Sequence, residues 1–203
     1  TAPYWLENKG TLGMYAVENP QDIGKPETSS VHKALFNMTI DGKPITFTRP
    51  IIHAYGDPVK GEVYEPFDIV PKATVALEDD VEIFESEASK HITVNVTAHQ
   101  DNVNGSLSLQ APLGWKISPE NAQISIADKG ATTSMVFTVT PPETASEGYL
   151  KPMLKSGINT FSKTMVTIDY DHIPKQRVLL PAESKVVRLD IKREGDLIGY
   201  IEG

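Results

Sequence analysis

GSLSLQAPLGWKISPE, residues Gly105 to Glu120, alternates and then abruptly stops alternating. Leu107, Leu109 and Ala111 occupy every second position, the period of a strand with one buried face. Pro112-Leu113-Gly114-Trp115 then interrupts the run. Proline presets φ and glycine tolerates positive φ, so the chain turns there as the strand ends. Trp115, one of two tryptophans, sits at that corner either to grip a ligand or to hold the fold together.

The same period of two runs through the chain. It recurs at Ile92, Val94, Val96 and Ala98, at Ile124 and Ile126, at Met135, Phe137 and Val139, and at Val166, Ile168 and Tyr170. Phe36, Met38 and Ile40 alternate, Asp41-Gly42 intervenes, and Ile45 and Phe47 resume. Asp-Gly between alternating runs predicts a type I′ hairpin, whose two central residues need positive φ. The Asn104-Gly105 pair reads as a second hairpin turn. No stretch keeps a helical period with caps, and the 15 prolines and 14 glycines lie mostly between the runs.

Short, half-buried strands with turn signals between them predict an all-β chain made of two immunoglobulin-like β-sandwich modules in series. The expected division is residues 1–72 for an N-terminal sandwich module, 73–170 for an immunoglobulin-like module, and 171–203 for a C-terminal linker and strands. The last stretch, SKVVRLDIKREGDLIGYIEG, closes on an apolar run from Leu197 to Ile201 that reads as the first strand of a truncated α/β domain. An edge hairpin on the second sandwich fits the same residues.

Composition excludes several classes. Net charge is −8, which leaves no generally basic surface for nucleic acid and no polybasic membrane patch. No apolar run approaches the ~20 residues of a membrane-spanning helix. With no cysteine there are no disulfides, thiolate nucleophiles or Cys-based zinc sites. The chain opens on Thr1 without a signal-peptide pattern and reads as a mature or excised piece.

Catalytic patterns are scarce. His32, His53, His91, His99 and His172 form no zinc-binding spacing. Asp101, Asn102 and Asn104 suggest an oxygen-rich cation loop, but a calcium loop begun at Asp101 would need glutamate where Pro112 stands. Tyr4, Trp5 and Tyr55 are candidate platforms for stacking a sugar ring, against the alternative that each packs in or beside a small core.

Taken in order, TAPYWLENKGTLGMY, IGKPE, YGDPVKGEVYEPFDIVP, and YDHIP followed by IGYIEG resemble the region downstream of the catalytic domain in large bacterial PIG-L (LmbE-like) deacetylases, especially from Bacteroidetes. Within it, residues 73–170 resemble the NPCBM-associated sandwich module also found in α-galactosidases. The carrying stretches there are 91–98, Leu107 to Pro119 and MVFTVTPP. The resemblance implies that Pro112 and Gly114 shape a structural corner and that Trp115 braces the core end.

It also implies a periplasmic or extracellular parent whose deacetylase domain carries zinc on a His-Pro-Asp-Asp motif. That motif is absent here, so no catalytic residue, metal or other cofactor is expected in this chain. The expected partners are other domains of the parent and glycans, with no nucleic acid and no membrane insertion.

Three functions follow as expectations. The first is a non-catalytic spacer and orienting region of a carbohydrate-active protein, with weak glycan contact. The second is a dedicated carbohydrate-binding module using Tyr4, Trp5 and Tyr55. The third is an independent hydrolase using His53 with Asp57, or His99 with Asp101, and it rests on nearness in sequence alone.

Overall fold

Asp41 and Gly42 take φ of 49° and 76°, the turn their chemistry demands, and join β1 (Lys33–Ile40) to β2 (Lys43–Pro50) in register from Ile40–Lys43 to Lys33–Pro50. The structure is a computed structural model and describes residues 3–8, 10–25, 28, 30, 32–173, 175–190, 195 and 199. It is all-β, as the period of two predicts.

Two compact units form. Unit 1 takes Thr1–Val70 with Met165–Leu180, and unit 2 takes Pro71–Thr164 with Pro181–Gly203.

In unit 1, β1–β2 is followed by a second antiparallel ribbon, β3 (Ile52–Asp57) with β4 (Gly61–Pro66). Where a smaller sandwich was expected, the strands pair in twos. The alternating residues of β1 are correspondingly exposed rather than half-buried, because a two-stranded ribbon lacks a second layer to cover them.

Unit 2 holds the strands β5 (Ala73–Leu77), β6 (Val81–Phe84), β7 (Lys90–Ala98), β8 (Val103–Gln110), β9 (Lys116–Ser118), β10 (Ala122–Ile126), β11 (Thr132–Thr140), β12 (Ser146–Ser156) and β13 (Asn159–Phe161). The chain then runs through β14 (Lys163–Ile168) and β15 (Gln176–Pro181), which pair with each other, to β16 (Ser184–Arg188). Val166 and Tyr170 are exposed on or beyond β14, since that pair too is a ribbon of two.

Two sheets make the sandwich. One runs β10–β8–β12–β16–β6 with β13 added beside β12, and the other runs β5–β7–β11–β9. Alternation fills the space between them. Ile92, Val94, Val96 and Ala98 point inward from β7, as do Leu107 and Leu109 from β8, Ile124 and Ile126 from β10, and Phe137 and Val139 from β11. Each such valine, leucine, isoleucine or phenylalanine contributes roughly 1.5–3 kcal/mol when buried. No cysteine is needed to hold a core of this extent.

β16 comes from the segment read as linker and strands. It is an interior strand, antiparallel to β12 on one side and parallel to β6 on the other. The run Leu197 to Ile201 falls on residues outside those described, apart from Gly199.

The Asn104-Gly105 pair is corrected. Both residues lie inside β8, and the turn before it is made by Asn102, whose φ is 57°. Gly105 serves a different need there: a Cβ would overlap the carbonyl oxygen of Lys155 on β12.

Candidate functional site

The corner after β8 carries the chain from one sheet to the other, because β8 belongs to the larger sheet and β9 to the smaller. Gly114 has φ of 88°, and the Trp115 N–H donates to the Pro112 carbonyl across 3.2 Å. Pro112 lies so close over Gly148 of β12 that no side chain fits at that position. The turn swings Trp115 inward, where it is 8% exposed. Its ring meets Phe84 edge-on at 4.9 Å, and its Nε1–H donates to Ser146 Oγ at 3.2 Å. Both the ring edge and the polar atom are engaged inside the protein.

A polar cluster is built in unit 1. Glu65 on β4 is only 7% exposed. Its carboxylate accepts the Tyr55 hydroxyl at 3.1 Å and takes Lys175 Nζ and Arg177 Nη2, each at 3.2 Å. Lys175 also reaches Asp169 at 3.1 Å, and Arg177 Nη1 reaches Asp68 at 3.5 Å. Burial pushes the Glu65 carboxyl up, but hydrogen bonds from Lys175, Tyr55 and Arg177 outweigh it and hold the acid below its ordinary range. The hydrogen bond to Glu65 raises the Tyr55 phenol in turn, with burial adding to it. Tyr55 remains 38% exposed, so its hydroxyl is pinned while much of its surface is open. The His53 ring lies 5.4 Å away in a tilted arrangement.

Tyr4 and Trp5 stand in a short 3-10 turn, Tyr4–Leu6, with their rings edge-on at 4.8 Å. The Tyr4 hydroxyl donates to the Lys25 carbonyl, and its N–H donates to Thr28 Oγ1. Both rings are half-buried. Their ring contact is with each other, and among the described residues no ring contact joins either of them to Tyr55.

Among the described residues no hydrogen bond or ion pair joins His53 to Asp57 or His99 to Asp101. Asp57 Oδ1 accepts the N–H groups of Val59 and Lys60, each at 2.8 Å, and these bonds lower its carboxyl. Asp101 Oδ1 accepts the Lys129 N–H at 2.9 Å, while His99 Nε2 faces Thr74 Oγ1 at 2.9 Å. Each acid is committed to a turn, which is also what becomes of the supposed cation loop.

Sequence reading missed Glu65, Asp68, Asp169, Lys175 and Arg177. A carboxylate with an ordinary local pattern gives no sign that a cation 112 positions further on will close over it. The local trace is the Glu65 position in an alternating run beside Tyr55's strand.

Residues 85–151 match the family described as the NPCBM-associated, NEW3 domain of alpha-galactosidase. That stretch contains the Trp115 corner and most of the core strands of unit 2. The sandwich is therefore similar to a carbohydrate-associated module. No curated protein sequence matches the chain. Solved structures that match include WR4, a C. elegans MSP family member, at 9% identity, covering 58% of this chain and 98% of that one with a TM-score of 0.31. A family 123 glycoside hydrolase from Clostridium perfringens matches at 10% identity, covering 60% of this chain and 28% of that one with a TM-score of 0.30. Among the described residues no helix is long and apolar enough to cross a membrane.

Proposed function

We propose that this chain is a non-catalytic accessory region of a multidomain, secreted or periplasmic carbohydrate-active protein, whose sandwich spaces and orients neighbouring domains. The observation that carries this is the match of residues 85–151 to the NEW3 domain of alpha-galactosidase. The local geometry supports it: Trp115, one of the two indoles, is committed to bracing the sandwich. The test is turnover. Purified chain incubated with acetylated amino sugars and with α-galactosides releases nothing under this reading, and activity of the isolated chain would end it.

The finer reading is that the parent is a PIG-L-like deacetylase that carries its zinc in a separate catalytic domain. The order of the resembling stretches supports this. A flanking sequence with a His-Pro-Asp-Asp domain would establish it, and a different enzyme there would replace it.

A second reading, glycan binding, is favoured by one observation: Tyr55 is fixed at its hydroxyl by Glu65 and open elsewhere. A preorganised ring loses little entropy on stacking a sugar. Titration calorimetry with a glycan panel at millimolar sugar reports heat that Tyr55→Ala removes. No heat from any glycan leaves the spacer role alone.

A further inference from the structure

The β1–β2 ribbon has one apolar face and one polar face, set by its register. Paired residues share a face, so Ala34–Arg49, Phe36–Phe47, Met38–Ile45 and Ile40–Lys43 form four rows on the same side. Phe36 is 52% exposed, Met38 42%, Ile40 51% and Phe47 46%. The opposite side presents Lys33, Asn37, Thr39, Thr46 and Thr48, with Leu35, Pro44 and Pro50 among them. A contiguous apolar strip of this kind on an otherwise acidic chain marks an interaction surface.

The ends of the strip identify what fits it. Arg49 closes one end and Lys43 the other, and neither forms an ion pair with any described residue. The two lie six positions apart on one strand, about 20 Å. A second copy of the same face is disfavoured in either direction, because parallel stacking gathers both Arg49 side chains at one end, each over the Ala34 row, and both Lys43 side chains at the other, while antiparallel stacking sets Arg49 opposite Lys43. An anionic bilayer would attract the two cations but repel a chain of net charge −8.

We propose that this face docks on a protein surface whose apolar strip is flanked at both ends by carboxylates. Phe36, Met38, Ile40, Ile45 and Phe47 cover the strip, while Lys43 and Arg49 set its register on the partner. This deepens the orienting role proposed above and rests on it, by naming the surface through which a neighbouring domain is held.

The experiment places the photo-crosslinking residue p-benzoylphenylalanine at Phe36 or Phe47 in the full-length protein in its own host, with Thr48 on the opposite face as control. Mapped cross-links from positions 36 and 47 fall in peptides where acidic residues flank an apolar run, and position 48 gives few. Lys43→Glu with Arg49→Glu lowers the yield by about tenfold or more. Lys43→Gln with Arg49→Gln lowers it less, and added salt weakens it in the unsubstituted protein. Circular dichroism unchanged in the substituted proteins keeps folding out of the comparison. Cross-links confined to a second copy or to lipid, equal yields from position 48, or none at all would overturn the docking proposal and leave the spacer role standing. Cross-links of the expected chemistry in an unrelated, non-carbohydrate protein would keep the surface and remove the accessory-region reading.

Discussion

The indole of Trp115 stands edge-on to the ring of Phe84, at 81° between planes, and donates its N–H to Ser146 Oγ. Phe84 and Ser146 belong to the larger sheet, whereas Trp115 leads into β9 of the smaller one. One side chain thus ties the two layers at the point where the chain crosses between them. Trp115→Ala should destabilise the sandwich by about 3–5 kcal/mol. Trp115→Phe, which keeps a ring and drops the hydrogen bond, should recover most of that loss. Chemical unfolding followed by circular dichroism measures both, and equal losses for the two would mean that the hydrogen bond, not the ring, holds the corner.

Gly105 and Lys155 approach along the β8–β12 ladder more closely than any side chain allows. Gly105→Ala should therefore cost roughly 1–3 kcal/mol, because backbone rather than a flexible side chain has to give. Urea unfolding reads the loss. Hydrogen exchange should place the loosened amides on β8 and β12.

Glu65 links acid stability to unit 1. Its folded carboxyl is held below the ordinary value, so the stabilisation is present above that value and is lost as pH falls through the lowered one. Unit 1 should weaken on the acid side across that window. Glu65→Gln should flatten the pH dependence at a cost of about 1–3 kcal/mol at neutral pH, from lost hydrogen bonds to charged groups. Thermal melts across a pH series check it, and an unchanged acid limb would show that other carboxylates dominate.

His99 acts on unit 2 in the same direction for a different reason. Burial lowers the imidazole, with Lys129 adding to it, so the folded state favours the neutral ring. Its contribution is intact above the ordinary histidine value and declines as pH falls from there toward the lowered one. His99→Gln should remove that portion of the slope while retaining a polar partner for Thr74 Oγ1. Melting curves of the sandwich between neutral and mildly acidic pH decide it.

Legibility differed between the units for a physical reason. In unit 2 the inward residues of β7, β8, β10 and β11 are the ones that a period of two selects, because two stacked layers bury every second side chain. In unit 1 the same period gave Phe36, Met38 and Ile40 as half-buried, yet they are exposed, because alternation reports which side chains share a face and not whether another layer covers it. The Asn-Gly reading failed similarly. Asn104-Gly105 has turn composition, but the glycine answers to the Lys155 carbonyl on a strand some fifty positions away.

The amino-acid order by itself determined the all-β character, the Asp41-Gly42 hairpin, the inward residues of the sandwich and the sharp corner at Pro112–Trp115. Each of these is local: a turn's dihedral needs or a period of two within one strand. Only the tertiary structure decided that β16 lies between β12 and β6, and that Lys175 and Arg177 close over Glu65. It also decided that the apolar side of β1–β2 is left uncovered. Those depend on which distant segments meet, and contact energy between residues a hundred positions apart leaves no periodic trace along the chain.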